Sequence, residues 1–472
     1  MSREKNLVKN TIIVALGKIC TQFISFFLLP LYTSILSAKE YGVVDLFNTY
    51  VSLLLPLIFF QIDQSIFRFL IDNRKNEDEK RTLISTTIFT VCIQALLFIV
   101  FYIGISGFIK NDYKYYLAIN VVASMFANIM LQISRGLGDN LTYSQGSLIT
   151  GSGIIILNVL LLCVFKMGAN GMLIAIFVSN FICTVFVFLK KKLYKYIKLN
   201  SFNKEYLKKL WKYSIPLIPN QLSWWVVDAS DRSIISYFLG IELNGIYSAA
   251  NKFSSVCISL FNIFNLTWSE SASISINDKD SDEYFSKMIN TTIKLFSSVL
   301  LFIVAIIPFI FKYIISGEEF ADAYFQIPIL MLATIFNIIV SLLGSIYVAL
   351  KKTKEIAKTS FYSAIINILI NILLINKIGL FAASISTLIA YFLMAVYRYC
   401  DLKKYVNIKI DYRYILLLSI IYLIIITIYY IHNFILCIFG LLIIITFSLC
   451  FNYELLKDSY LIIINKLFKR GM

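Results

Sequence analysis

The sequence predicts an all-α protein that crosses a bilayer about fourteen times. Three observations carry that prediction. Of 472 residues, 59% are hydrophobic and only 15% charged, against about 25% charged in an ordinary soluble domain. Apolar runs of about 20 residues, long enough to cross a ~30 Å hydrocarbon core, recur from one end of the chain to the other. The basic residues are also lopsided: with the N-terminus inside, about 32 Lys and Arg fall on the inner side and about 6 on the outer. The net charge of +16 is therefore read as a topology signal that places both termini in the cytoplasm, and not as a nucleic-acid footprint.

Span one is placed at 10–36. Its apolar run is too long for the core of a cleavable signal and lacks a small-residue cleavage site, so it is expected to stay as an anchor. Span two follows at 43–71, and spans three to six at 83–109, 115–135, 141–165 and 169–189, joined by short loops. The longest connection, 190–213, is rich in Lys and expected on the inner side. It reads either as a contact for anionic head groups or as a linker with an amphipathic surface helix. Spans seven and eight are placed at 214–238 and 245–274, and spans nine to twelve at 289–315, 324–350, 359–376 and 380–400. Two further spans, 413–431 and 434–451, complete the set.

A constant offset of 203 residues superposes the two halves. Leu7, Lys9 and Thr11 fall on Leu210, Lys212 and Ser214; Leu36 and Gly42 fall on Leu239 and Gly245; Asn48 falls on Asn251. Each copy starts inside and spans six helices, which makes the repeats parallel, about an axis along the membrane normal. The expected organisation is an N-terminal lobe (1–189), a basic cytoplasmic linker (190–213), a C-terminal lobe (214–400), and spans thirteen and fourteen with a cytoplasmic tail (401–472). All six prolines (30, 56, 216, 219, 308 and 328) lie within spans, and the pair Pro216 and Pro219 predicts a break. The eight cysteines are scattered through the spans and the chain has one histidine. No zinc-ligand spacing occurs, and neither a metal nor a cofactor is expected.

Charge inside a membrane is costly, about 2.5–3.5 kcal/mol per residue at the bilayer centre. Lys18, Arg68, Arg232, Lys252 and Lys294 must therefore pair, snorkel or face water. Polar residues recur at helical spacing in five spans: Lys18, Gln22 and Ser25; Asn120, Ser124, Asn128 and Gln132; Asn220, Trp224, Asp228 and Asp231; Ser248, Lys252, Ser255, Ser259 and Asn262; Ser363, Asn367 and Asn371. One such face is explained by glue between helices. Five point to a common hydrated cavity. Arg232 and Lys252 flank the short turn between spans seven and eight, with Asp228 and Asp231 nearby. The candidate site is thus Lys18, Arg232, Lys252, Asp228 and Asp231, suited to a phosphate-bearing substrate through the planar guanidinium and the ammonium. The competing reading is a structural Asp–Arg pair. Asp63 and Arg68 are expected to lock span two to a neighbour, and Lys294 to snorkel.

Two hairpins carry a family resemblance. Leu29-Pro30-Leu31-Tyr32-Thr33 followed by Ser37-x-x-Glu40-Tyr41-Gly42 resembles the opening of Wzx-type polysaccharide flippases of the multidrug/oligosaccharidyl-lipid/polysaccharide (MOP) exporter superfamily. Pro216-x-x-Pro219, Ser230-Asp231-Arg232, Asn244-Gly245-x-Tyr247 and Asn251-Lys252 look like the start of that family's second lobe. The resemblance implies two six-helix lobes around a central cavity, two extra C-terminal helices, and alternating access in the cell membrane. The implied substrate is an undecaprenyl-diphosphate-linked oligosaccharide, received by Lys18, Arg232 and Lys252. The surrounding partners would be membrane lipids and the polysaccharide polymerase and chain-length machinery, for capsule, exopolysaccharide or O-antigen. Three readings compete: a multidrug or cation antiporter of the same superfamily, which would favour cavity acids; a peptidoglycan-precursor flippase; and a membrane polymerase or glycosyltransferase, for which the outer loops are too short. No catalytic residue is singled out.

Overall fold

A computed structural model describes residues 26–108 and 111–468, with the side chains of 199, 266, 454–456 and 458–468 excepted. Every regular element among the described residues is helical. Lys18, Gln22 and Ser25, with most of span one, lie outside them. Among the described residues eleven helices are long and apolar enough to cross a membrane, and the chain is an integral membrane protein.

α1 (Leu29–Ile35) opens with Pro30 in its first turn, where the missing N–H has no helical partner to lose. Leu36 is extended, and Ser37 then starts α2 (Ala38–Phe59). The Ser37 hydroxyl accepts the Glu40 N–H while the Glu40 carboxylate accepts the Ser37 N–H, which satisfies two otherwise orphaned donors. Predicted span two is not one helix. Phe60 and Gln61 both adopt left-handed backbone, φ 52° and 50°, and α3 (Ile62–Asp72) starts afresh. Neither residue is a glycine, but the apolar stretch ends there: Gln61, Asp63, Gln64 and Ser65 follow Phe60, a polar cluster that the predicted span runs through. Arg68 pairs within α3, with Asp72 at 2.6 Å, and not with a neighbouring helix.

Helices α4 (Glu77–Ser106), α5 (Lys114–Gly136), α6 (Asn140–Val159, extended by a π turn to Val164) and α7 (Gly168–Lys190) follow the predicted spans. α6 approaches α7 through small residues: a Cβ on Gly146 would meet Val187 and Cys183, and one on Gly153 would meet Ser179. Without water between helices, such close approach is the main source of attraction. The linker holds α8 (Lys204–Ser214), the expected amphipathic helix. Pro216 falls in a 3-10 turn, Ile215–Leu217, and Pro219 in the first turn of α9 (Ile218–Phe238), so the predicted break is present. α10 (Ile241–Ser275), α11 (Ser281–Ile314), α12 (Ala323–Ala349), α13 (Thr353–Ile378), α14 (Phe381–Leu402), α15 (Tyr412–Ile431) and α16 (Phe434–Phe468) complete the order.

The chain clusters into two compact units. One runs to Ser248 and takes in Gly317–Glu319; the other holds Ala249–Ser316 and everything from Phe320. In the first unit, Phe59, Ile62, Leu70, Leu83, Val121 and Ile133 are fully buried in one core that joins α2–α5. In the second, α12 is the most enclosed helix: 72% of its apolar stretch is buried, against 11% for that of Asn140–Val164 in the first unit. Trp268, buried on α10, donates to the Leu342 carbonyl on α12 at 3.1 Å. α15 and α16 attach to this unit. The Tyr422 hydroxyl donates to the Pro328 carbonyl, and the Asn452 amide donates to Ser298 at 2.9 Å.

The polar face of α13 proves to be glue, as does the first half of that on α5, whose Asn128 is exposed; for the packed residues the single-cavity reading is corrected. On α13, Ser363 donates to the Ala390 carbonyl and Asn367 to Thr387, both on α14, and Asn371 is fully buried. On α5, Asn120 donates to the Leu173 carbonyl of α7, and Ser124 accepts from Asn180. A polar side chain at helical spacing is equally suited to a neighbour's backbone and to water, and only packing decides between them.

Candidate functional site

The first unit brings the start of α2, the second half of α9 and the start of α10 together around one guanidinium. Arg232 lies six residues before the end of α9, and Asp45 lies seven after the start of α2. At 1.5 Å per residue each is about 9–10 Å from its helix end. Their side chains meet, Arg232 Nε to Asp45 Oδ2 at 2.8 Å, and only 13% and 17% of the two side chains remain exposed. Arg232 Nη1 also donates to the Asp228 carbonyl at 2.9 Å. The Ser248 hydroxyl on α10 donates to the same Asp45 Oδ2. Asp231, next to the arginine but turned to the other side of α9, is 2% exposed and accepts from the Tyr247 hydroxyl at 3.0 Å. Asp228 faces out.

Two glycines allow this convergence. α2 and α10 cross backbone to backbone at Gly42 and Gly245. A Cβ on Gly42 would sit 2.1 Å from the Ile241 carbonyl oxygen, and one on Gly245 would sit 1.9 Å from that of Ala38. Asn244 donates to the Gly42 carbonyl at 3.0 Å. The crossing is symmetric. Gly42 and Gly245, Ala38 and Ile241, and Asp45 and Ser248 are each 203 apart, the offset of the internal repeat. Reciprocal contacts of this kind, where i meets j and the equivalent of i meets the equivalent of j, mark a local two-fold axis. It passes between two helices that the offset makes equivalent. Two carboxylates pin the start of α2: Glu319 accepts the Ala38 N–H at 2.7 Å, and Glu40 faces Gly168 and Ala169 at the start of α7. Negative charge at a helix N-terminus is favourable.

Of the predicted residues, Arg232, Asp228 and Asp231 share this cluster in different roles, a paired cation, an outward acid and a buried acceptor. Lys252 lies on the part of α10 that belongs to the second unit. α10 begins at Ile241, four residues earlier than expected, so Lys252 is about 16 Å into its helix. Beyond it, Ser255 and Ser259 donate to backbone carbonyls of their own helix, and Asn262 is exposed. Lys294 pairs with Asp411 at 3.0 Å over the Tyr414 ring.

Sequence reading missed Asp45 and Arg398. Asp45 was detectable as an in-span acid whose repeat partner is Ser248. Arg398, counted in sequence among inner-side cations, is 1% exposed in the second unit. Its guanidinium donates to the Val340 carbonyl at 2.9 Å, Thr359 at 3.0 Å and Ser360 at 3.2 Å, tying α12 and α13 to α14. Its neighbours are neutral acceptors, which suits a structural rivet. Three or more His, Cys, Asp or Glu able to hold a metal do not gather anywhere among the described residues.

The profile of a polysaccharide biosynthesis protein family matches residues 7–268, more than half of the chain. None of the curated proteins compared with it matches. Solved structures share the fold. A lipid II flippase MurJ in an inward closed conformation is 17% identical, with a TM-score of 0.70 over 94% of this chain and 100% of that one. An inward-facing multidrug resistance MATE family transporter of the MOP superfamily is 12% identical, with a TM-score of 0.67 over 83% and 98%. A MOP superfamily transporter from Pyrococcus furiosus, described as having a binding pocket of reversed polarity, is 14% identical, with a TM-score of 0.57 over 84% and 96%.

Proposed function

Because the chain belongs to the polysaccharide biosynthesis protein family, we propose that it is a flippase for undecaprenyl-diphosphate-linked oligosaccharide units. It moves them from the inner to the outer leaflet of the cell membrane, by alternating access, for a capsule, exopolysaccharide or O-antigen. The observation that carries the reading is Arg232, a largely buried guanidinium held by a carboxylate on another helix. A diphosphate cannot cross hydrocarbon unaided, because its charge loses its hydration there. A guanidinium replaces that hydration with two parallel hydrogen bonds.

In this state Asp45 occupies the position that a phosphate oxygen would take. Binding is then an exchange of anions on Arg232: the diphosphate displaces Asp45, and Asp45 recaptures the arginine when cargo leaves. Such an exchange keeps affinity low enough for release. Asp231, held by Tyr247, orients this stretch of α9, and Asp228 borders it. Lys18 and Lys252 are assigned to the same cargo as further cations. Both termini are placed in the cytoplasm, and a polymerase with its chain-length partners is placed downstream.

Deleting the gene is the test of the class. A lipid-linked oligosaccharide should accumulate on the cytoplasmic face and be cleared by re-expression of this chain; no accumulation retires the reading. Arg232→Ala should abolish export while the protein still inserts and accumulates, and unchanged polymer output would remove Arg232 from the path.

One observation favours a second reading. Asp228 and Asp231 add two acids to the stretch of α9 whose arginine is already paired with Asp45, and an acid surplus suits an exporter of organic cations. Efflux of cationic dyes by the purified, reconstituted chain, in place of lipid-linked sugar movement, would establish it. Likeness in fold to the lipid II flippase makes a peptidoglycan precursor the third cargo to assay.

A further inference from the structure

We propose that α8 is a docking surface for anionic phospholipid at the membrane face where α7 ends and α9 begins. The inference is independent of the cargo that the chain carries. α8 is anchored on one side only. Asn203 caps it by accepting the Glu205 and Tyr206 N–H groups, and the Asn203 N–H itself donates to Thr86 on α4. Leu210 is buried, Trp211 packs edge-on against Phe60 at 5.9 Å, and Tyr213 packs against Phe69 at 6.1 Å.

The other side is cationic. Lys204, Lys208 and Lys212 recur at four-residue spacing with Lys209 beside them, and all four are exposed. No ion pair among the described residues engages any of them. Glu205 is the one acid in the helix. A repeated lysine stripe without counter-ions repels itself unless an external anion lies against it.

Position selects the bilayer as that anion. Ile215 and Leu217, 44% and 36% exposed, follow α8 directly and lead into α9. Exposed apolar side chains at this point put the expected edge of the hydrocarbon there. Lys212, Lys208 and Lys209 then stand within about 10 Å of that edge along the helix, inside the head-group layer and about one Debye length. Charge complementarity there commits the surface to acidic lipid head groups rather than to a soluble partner. Because α8 runs through the Pro216 turn straight into the helix of Arg232, lipid on α8 also braces that helix from its far end.

The test is native mass spectrometry of the full-length protein, counting phosphatidylglycerol against phosphatidylcholine adducts. Wild type should prefer phosphatidylglycerol roughly tenfold. K208Q/K209Q/K212Q should fall to within about twofold of phosphatidylcholine, while K208R/K209R/K212R keeps the preference. Melting temperatures of all three proteins establish that each is folded. Equal binding of the two lipids by wild type, or a glutamine variant that keeps more than half of the preference, overturns the proposal. So does full competition by inorganic phosphate, because a site that takes the free anion is not reading a bilayer surface.

Discussion

At the scale of single residues, the assignment turns on Arg232 having a fixed partner. A mostly buried ion pair stabilises little by itself, but removing one member strands the other, at a cost of about 3–5 kcal/mol. Asp45→Asn and Arg232→Gln should therefore each lower the melting temperature, while the double variant stays closer to wild type than the sum of the two. Strict additivity in that cycle would mean that the pair is not coupled. Asp45→Asn should also bind lipid-linked diphosphate more tightly yet turn over more slowly, since the competing anion is gone. At Lys252, a charge reversal adds repulsion of an anionic cargo. Lys252→Glu should cut export more than Lys252→Gln, and equal losses would assign the lysine to packing. Arg398 shows the limit of reading charge from sequence: an arginine near a helix end looks like a snorkelling surface residue until three helices are found to close over it.

At the scale of helices, the decisive contact is the crossing of α2 and α10. Gly42→Ala or Gly245→Ala forces a methyl group into a carbonyl oxygen about 2 Å away, and backbone on backbone cannot yield as a flexible side chain would. Overpacking of this kind costs about 1–3 kcal/mol. Gly42→Ala should lower the melting temperature and loosen Ser248 from Asp45, read as increased alkylation of a Ser248→Cys reporter. An unchanged melting temperature and unchanged labelling would show that the crossing does not govern the site. The break between α2 and α3 is a different case. Two left-handed non-glycine residues end the helix where the apolar stretch gives way to Gln61, Asp63, Gln64 and Ser65, a change of polarity that marks a boundary but not the backbone turn made there. By contrast, Pro216 and Pro219 announce their break, because a proline removes a specific backbone donor wherever it stands.

At the scale of the whole molecule, the claim is that water reaches charged side chains at membrane depth. Cysteines placed at 232 and 252 in a cysteine-free chain should react with soluble thiol reagents from one side of the membrane or the other, and the balance should shift when cargo is supplied. Protection of both positions under every condition would leave no aqueous route for an anionic head group, and the flippase reading would fall with it. The 203-residue duplication bears on the same scale. In sequence it is a handful of identities; in the fold it returns as reciprocal contacts at Gly42–Gly245 and Asp45–Ser248. That reciprocity is what a parallel duplication produces when equivalent helices meet.

By itself the sequence determined the class, eleven of the fourteen spans among the described residues, the proline break, the amphipathic linker helix and Arg232 as the cation to examine. These follow from local quantities, since the length of an apolar run and the spacing of polar residues depend on neighbours a few positions away. Only the tertiary structure decided that Arg232 belongs to Asp45, that Asp231 is buried beneath Tyr247, and that the polar face of α13 is glue. A membrane helix shows its partner several faces of similar polarity, and which one is chosen depends on how closely two backbones can approach. Here the missing side chains of two glycines, far apart in the chain, set that distance.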